Sequence, residues 1–113
     1  MKSVYLFLAL VSLALVTSCK KEKVRETPDC IWTKITAFDS TYNCAEAKVD
    51  KYLFQGETVY VFDPGVCSQA DMASEVINQN CETLGYLGGL IGNTTINGEN
   101  FSSAHFQETI WHK

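Results

Sequence analysis

Few side chains in this 113-residue chain have chemistry to offer, and the cysteines come first. Cys30, Cys44, Cys67 and Cys81 lie at least fourteen residues from one another. A structural zinc site draws on close pairs such as C-x2-C, in which one turn presents two thiolates. A redox centre draws on C-x-x-C. Neither spacing occurs, so no metal site is expected, and the pattern points to disulfides. Four cysteines allow three pairings. The equal spacing of 30 to 44 and 67 to 81 favours Cys30–Cys44 with Cys67–Cys81. Each bridge would close a loop of about 15 residues, worth roughly 3 kcal/mol in the chain-entropy model.

His105 and His112 are the two histidines. Their odd separation on one continuous strand puts them on opposite faces, where they cannot share a metal or a substrate. Ser102 and Ser103 adjoin His105 in sequence, but there is no G-x-S-x-G elbow to set up a nucleophile. Phosphate-loop and dinucleotide fingerprints are absent as well. The stretch "NTTINGEN", Asn93 to Asn100, carries oxygen donors at close spacing, as calcium loops do, but contains a single carboxylate. A tight loop supported by glycine is the preferred reading. The expectation is a protein without catalytic residues or cofactor, and therefore not an enzyme.

The fifth cysteine has a different setting. Lys2 precedes Val4 to Val16, a 13-residue run without charge. A membrane-spanning helix needs about 20 such residues, whereas a signal-peptide core needs about this many. The run ends in "Val16-Thr17-Ser18-Cys19", which resembles the lipobox of bacterial lipoproteins. That resemblance implies cleavage before Cys19 and lipid attachment to its sulfur, with the acyl chains as the membrane anchor. Residues 1–18 are then a signal peptide and 19–28 a charged tether, with a domain at 29–113. Export places the four remaining cysteines in an oxidising compartment. From Asp29 onward there are four lysines, no arginine and eleven acids. A balance this acidic argues against nucleic acid as a partner.

Such a domain is small for a hydrophobic core alone and gains from staples. Ile31, Ile35 and Phe38 recur at helical spacing behind Asp29, a cap residue, and predict a helix over 30–39 ended by Asp39 and Ser40. "KYLFQGETVYVFD" predicts a hairpin of strands 48–54 and 57–62 turning at Gln55-Gly56. With Phe54 opposite Glu57, Val49, Leu53, Tyr60 and Phe62 share one face and Tyr52, Phe54, Val59 and Val61 the other. Both faces are apolar, which places the hairpin centrally in a sheet. Residues 71–86 admit a helix capped by Asp71 or two short strands, with strands preferred. The alternation in "HFQETIWH" predicts a closing strand. The sum is an α+β domain, stapled by disulfides, with a short N-terminal helix on an antiparallel sheet of about four or five strands.

From Cys30 onward the chain resembles an uncharacterised domain family of Bacteroidota lipoproteins. The resemblance rests on "VDKYLFQGETVYVFDPG", on "CETLGYLGG" with "IGNTTINGENF", and on the terminal "TIW". It implies export and lineage but no catalytic residues. Many such lipoproteins carry a lysine-plus-acidic run after the lipidated cysteine that directs them to the cell surface, and "KKEK" has one acid in that place. "Asp39-Ser40-Thr41" is similar to the Bacteroidota O-glycosylation sequon and marks Ser40 as a modification candidate. The expected location is the cell envelope, at the outer membrane on its periplasmic or surface face. The expected role is a binding or structural module with a protein or glycan partner, and the alternative is a small inhibitor or accessory of an exported enzyme. The expected contact surface is the aromatic hairpin and the Gly/Asn loop, with Tyr52, Tyr60, Tyr86 and Trp111 as contact residues.

Overall fold

The structure, a computed structural model, describes residues 27–41, 44–66 and 72–113. The proposed signal peptide, Cys19, Cys67 and Asp71 lie outside the described residues. Helix α1 spans Asp29–Thr41. Ile31 and Ile35 are buried along it and Phe38 half-buried, as their spacing requires. It extends past the expected bounds at both ends. The carbonyl of Pro28 accepts from the N–H groups of Ile31 and Trp32 at 3.0 and 3.3 Å, so Pro28 caps the helix. Asp29 sits instead in the first turn, where its carboxylate complements the positive end of the helix dipole. At the other end Ser40 and Thr41 do not break the helix. Their hydroxyls donate to the carbonyls of Thr36 (3.0 Å) and Ala37 (2.8 Å), respectively. Lys113 then donates to the Asp39 carbonyl at 3.2 Å and to its carboxylate at 2.6 Å, tying the chain's last residue to the final turn.

The main sheet is antiparallel with five strands: β1 (Lys48–Phe54), β2 (Glu57–Asp63), β3 (Ala73–Asn78), β4 (Thr83–Gly88) and β7 (His105–His112). Their order is β4-β3-β2-β1-β7, with a separate short pair, β5 (Thr95–Ile96) and β6 (Glu99–Asn100). The β1–β2 register is the expected one, Phe54 opposite Glu57. Gln55 and Gly56 turn it with φ of 54° and 77°, both left-handed, as a type I′ hairpin needs. Residues 73–78 and 83–88 are strands, so the helix alternative for this region does not hold.

Both faces of the sheet are covered, by very different means. Helix α1 lies on one, where Ile31 and Ile35 pack with Val49, Tyr60, Phe62 and Ile77. Phe38 meets Phe62 and Trp111 edge-on, with centroids 5.3 and 5.9 Å away. On the opposite face Phe54, Val59, Val61 and Val76 are covered by Ile96 from β5 and by Phe101 and Ala104 from the chain that follows β6. Ile96 is 1% exposed and settles over Gly85, where a Cβ would come 2.9 Å from its terminal methyl. Both cores are made by residues 30–111, so the unit carries its own interior.

The expected pairing of the cysteines is wrong. Cys30 bonds to Cys81, with Cα atoms 6.2 Å apart. The bridge fastens the first turn of α1 to the connection between β3 and β4, so it joins layers instead of closing a local loop. Cys44 is also disulfide-bonded. Gly65, with φ +77°, closes the turn after β2. A Cβ there would lie 2.4 Å from the Ala45 carbonyl, so only glycine lets the two backbones approach.

Candidate functional site

The chemistry-bearing side chains do not converge. By their partners, Leu53 and Lys48, His105 and His112 fall on opposite faces of β7, and both are exposed. Ser103 donates to the Glu99 carboxylate. That bond, then one from Gln55, holds the Glu99 carboxyl below the usual carboxylate range. Asp50 is 5% exposed and partnered by Lys48 at 3.3 Å and the Thr109 hydroxyl at 2.6 Å. Its carboxylate is the main reason the Lys48 ammonium is raised above its ordinary value. This cluster fastens the edge strand β7 to β1. Among the described residues no three His, Cys, Asp or Glu side chains stand close enough to hold a metal.

A groove of about 530 Å³, within the range of small-ligand sites, lies on the face away from the helix. Tyr52 of β1 forms one wall, Leu87 and Gly88 of β4 another, and Phe101, Ser102 and Ala104 a third. Gly92, Asn93, Thr94 and Asn100 complete it. The sequence builds this wall with glycine and asparagine. Gly88, Gly89 and Gly92 all have positive φ, which lets the chain reverse after β4. Gly88 and Asn93 then exchange backbone hydrogen bonds of 2.8 and 3.1 Å. The Asn93 amide donates to the carbonyls of Tyr86 (2.6 Å) and Thr95 (2.8 Å), and its oxygen accepts from the Thr95 N–H. The Asn100 oxygen accepts from the Ser102 N–H at 2.8 Å, and its amide donates to the Thr94 hydroxyl. Asn97-Gly98, with φ of 52° and 82°, turns β5 into β6. Asn97 and Gln55 exchange bonds that lock this small hairpin to the β1–β2 hairpin. Of the oxygens in this stretch, those of Asn93, Thr94 and Asn100 accept from the segment and its neighbours, and the Glu99 carboxylate accepts from Ser103 and Gln55.

The aromatic side chains form a chain beside the groove. Tyr52 stands edge-on to Phe101 at 5.1 Å and to Phe106 at 5.6 Å. Burial, then the nearby Asp50 carboxylate, raises the Tyr52 phenol above its ordinary value, so it stays neutral. Of the four expected contact residues, only Tyr52 lines the groove. Tyr60 is 1% exposed in the helix-side core and is removed from any contact surface, because β2 is the central strand. Trp111 is half-buried against Phe38. Tyr86 is exposed but pairs with Glu75, whose other partner is Phe62 of the helix-side core, and so belongs to the helix face. Ser40 is exposed, its hydroxyl bonded back to α1 carbonyls.

The expected Gly/Asn loop does contribute Gly88, Gly92, Asn93, Thr94, Asn100 and Phe101 to the groove. Within it Leu90 and Ile91, not singled out individually, are 86% and 93% exposed in the turn beside the groove. Leu87, Ala104 and Phe106, 56% exposed, escaped the sequence reading as site residues. The signal that finds the turn is "GGLIGN": two aliphatic residues between glycines, with nothing adjacent to bury them.

Residues 36–113 match the family described as Domain of unknown function (DUF6970). The chain belongs to this family. The DUF6970 match begins inside α1, after Cys30, and takes in every strand among the described residues and the whole groove. No curated protein and no solved structure matches the chain.

Proposed function

We propose that the chain is a lipid-anchored, non-catalytic binding domain of the bacterial cell envelope, with the groove between β1, β4 and the 100–104 segment as its binding surface. The observation that carries this reading is the groove itself. It has the volume of small-ligand sites. Its two asparagine side chains are hydrogen-bonded to the backbone of the walls, which pre-organises them. Anchoring is supported by the charge-free run ending in "VTSC" and by the charged tether that follows Cys19. The test has two parts. Cells fed radiolabelled palmitate should label the wild-type chain and not Cys19→Ala, and the wild type should fractionate with outer membranes. An unlabelled wild type removes the anchor. Screening the domain against envelope extracts by NMR should move amides at the groove, and a screen that moves none removes the binding surface.

The alternative, an inhibitor or accessory of an exported enzyme, draws on one observation. The Gly89–Gly92 turn holds Leu90 and Ile91 out in solvent, as a loop inserted into a partner's cleft would be. A photo-crosslinker at Leu90 that traps one exported enzyme, with loss of that enzyme's activity, would favour it.

A further inference from the structure

Taking the groove as the binding surface, we infer that its ligand is an uncharged alkyl chain. None of the residues lining the groove is charged. A phosphate or carboxylate would therefore meet no cation there, in a domain that has four lysines in all. A sugar needs several free donors and acceptors. The two lining amides are already used: Asn93 on Tyr86 and Thr95, and Asn100 on Thr94 and Ser102. The rest of the lining is Tyr52, Leu87, Phe101 and Ala104 with the small uncharged Thr94 and Ser102, beside Gly88 and Gly92. The lining residues are spread widely enough to take an extended chain. Tyr52 and Leu87 lie on strands separated by β2 and β3, which is about 14 Å at the usual strand spacing. The exposed Leu90, Ile91 and Phe106 extend the apolar surface beyond the groove.

The test uses the chain from Lys20 to Lys113, which keeps both cores and the Cys30–Cys81 bridge. Displacement of the neutral fluorophore N-phenyl-1-naphthylamine by 1-hexanol, 1-octanol and 1-decanol reads the chain-length dependence. Affinity should rise roughly fourfold per methylene, which is about 0.8 kcal/mol per buried CH₂ converted with RT. Ser102→Trp, at an exposed position lining the groove, should weaken 1-decanol at least tenfold with an unchanged unfolding midpoint. A flat alcohol series, or full binding by Ser102→Trp, overturns the inference. N,N′-diacetylchitobiose serves as the glycan arm. If it shifts groove amides while the alcohols do not, the alkyl ligand is wrong and the binding surface survives. If neither shifts them, the alkyl ligand is wrong and the envelope screen alone decides the binding surface.

Discussion

The two faces of this sheet are closed by opposite means. On one, a 13-residue helix lays Ile31 and Ile35 on Val49, Tyr60, Phe62 and Ile77, and a disulfide clamps the helix to the β3–β4 connection. On the other, two strands of two residues each, a 3-10 turn and a run of glycines do the covering. A helix offers a continuous apolar stripe, so its contact with a sheet closes. Short strands offer one anchor, Ile96, and must reach the rest of the face with loop. The shortfall in cover is the groove.

The comparison breaks most sharply at Tyr60. Tyr60→Ala, at a position 1% exposed, should cost about 3–5 kcal/mol in denaturant unfolding, and a cost below about 1 would mean the helix face is not the stabilising one. Next is the bridge. Its sequence separation of 51 residues corresponds to about 4 kcal/mol in the chain-entropy model. Cys30→Ala with Cys81→Ala should lower stability by up to that amount and leave ligand binding in the groove unchanged. Mass mapping of the oxidised chain should recover Cys30 joined to Cys81 and Cys44 joined to Cys67. The second link is expected because Val66 donates to the Ala45 carbonyl at 3.0 Å, bringing the neighbours of those two cysteines together.

A smaller change probes the groove face. Ile96→Ala should cost about 2–3 kcal/mol and, unlike the bridge variant, should also weaken groove binding, because Ile96 pins β5 over Gly85. Equal binding before and after would separate the hairpin from the groove. The smallest effect is one of pH. The Glu99 carboxyl is held below its ordinary value of 4.5 by Ser103 and Gln55. Its contribution is therefore present above about 4.5 and lost as pH falls through the lowered value. Between neutral pH and about pH 3, amide exchange at Asn97–Ser103, corrected for its intrinsic pH dependence, should quicken in the wild type more than in Glu99→Gln.

The helix and the central hairpin were legible because each rests on one repeating pattern: Ile31, Ile35 and Phe38 at helical spacing, and the alternation on either side of Gln55-Gly56. Tyr60 was misplaced as a contact even though its central position implied burial on both faces. The second hairpin was missed because strands of two residues carry no alternation. Asn97-Gly98, a strong turn signal, was there to find it. The cysteine pairing was out of reach, since spacing records distance along the chain and Cys30–Cys81 depends on where α1 lands on the sheet. The hairpin and the Gly/Asn loop were named as a surface, but their assembly into a groove with Leu87 and Ala104 was out of reach for the same reason. Tyr52, Leu87 and Phe101 meet only through the order of the strands and the reversal after β4.

Amide chemical shifts of the 20–113 chain during titration with 1-decanol would test the division between the faces most directly. Saturable shifts should gather at Leu87–Thr94 and Asn100–Ala104 and leave Asp29–Thr41 still. Shifts gathered along α1 would contradict the division between the faces, and none at saturation of the alcohol would contradict the alkyl ligand.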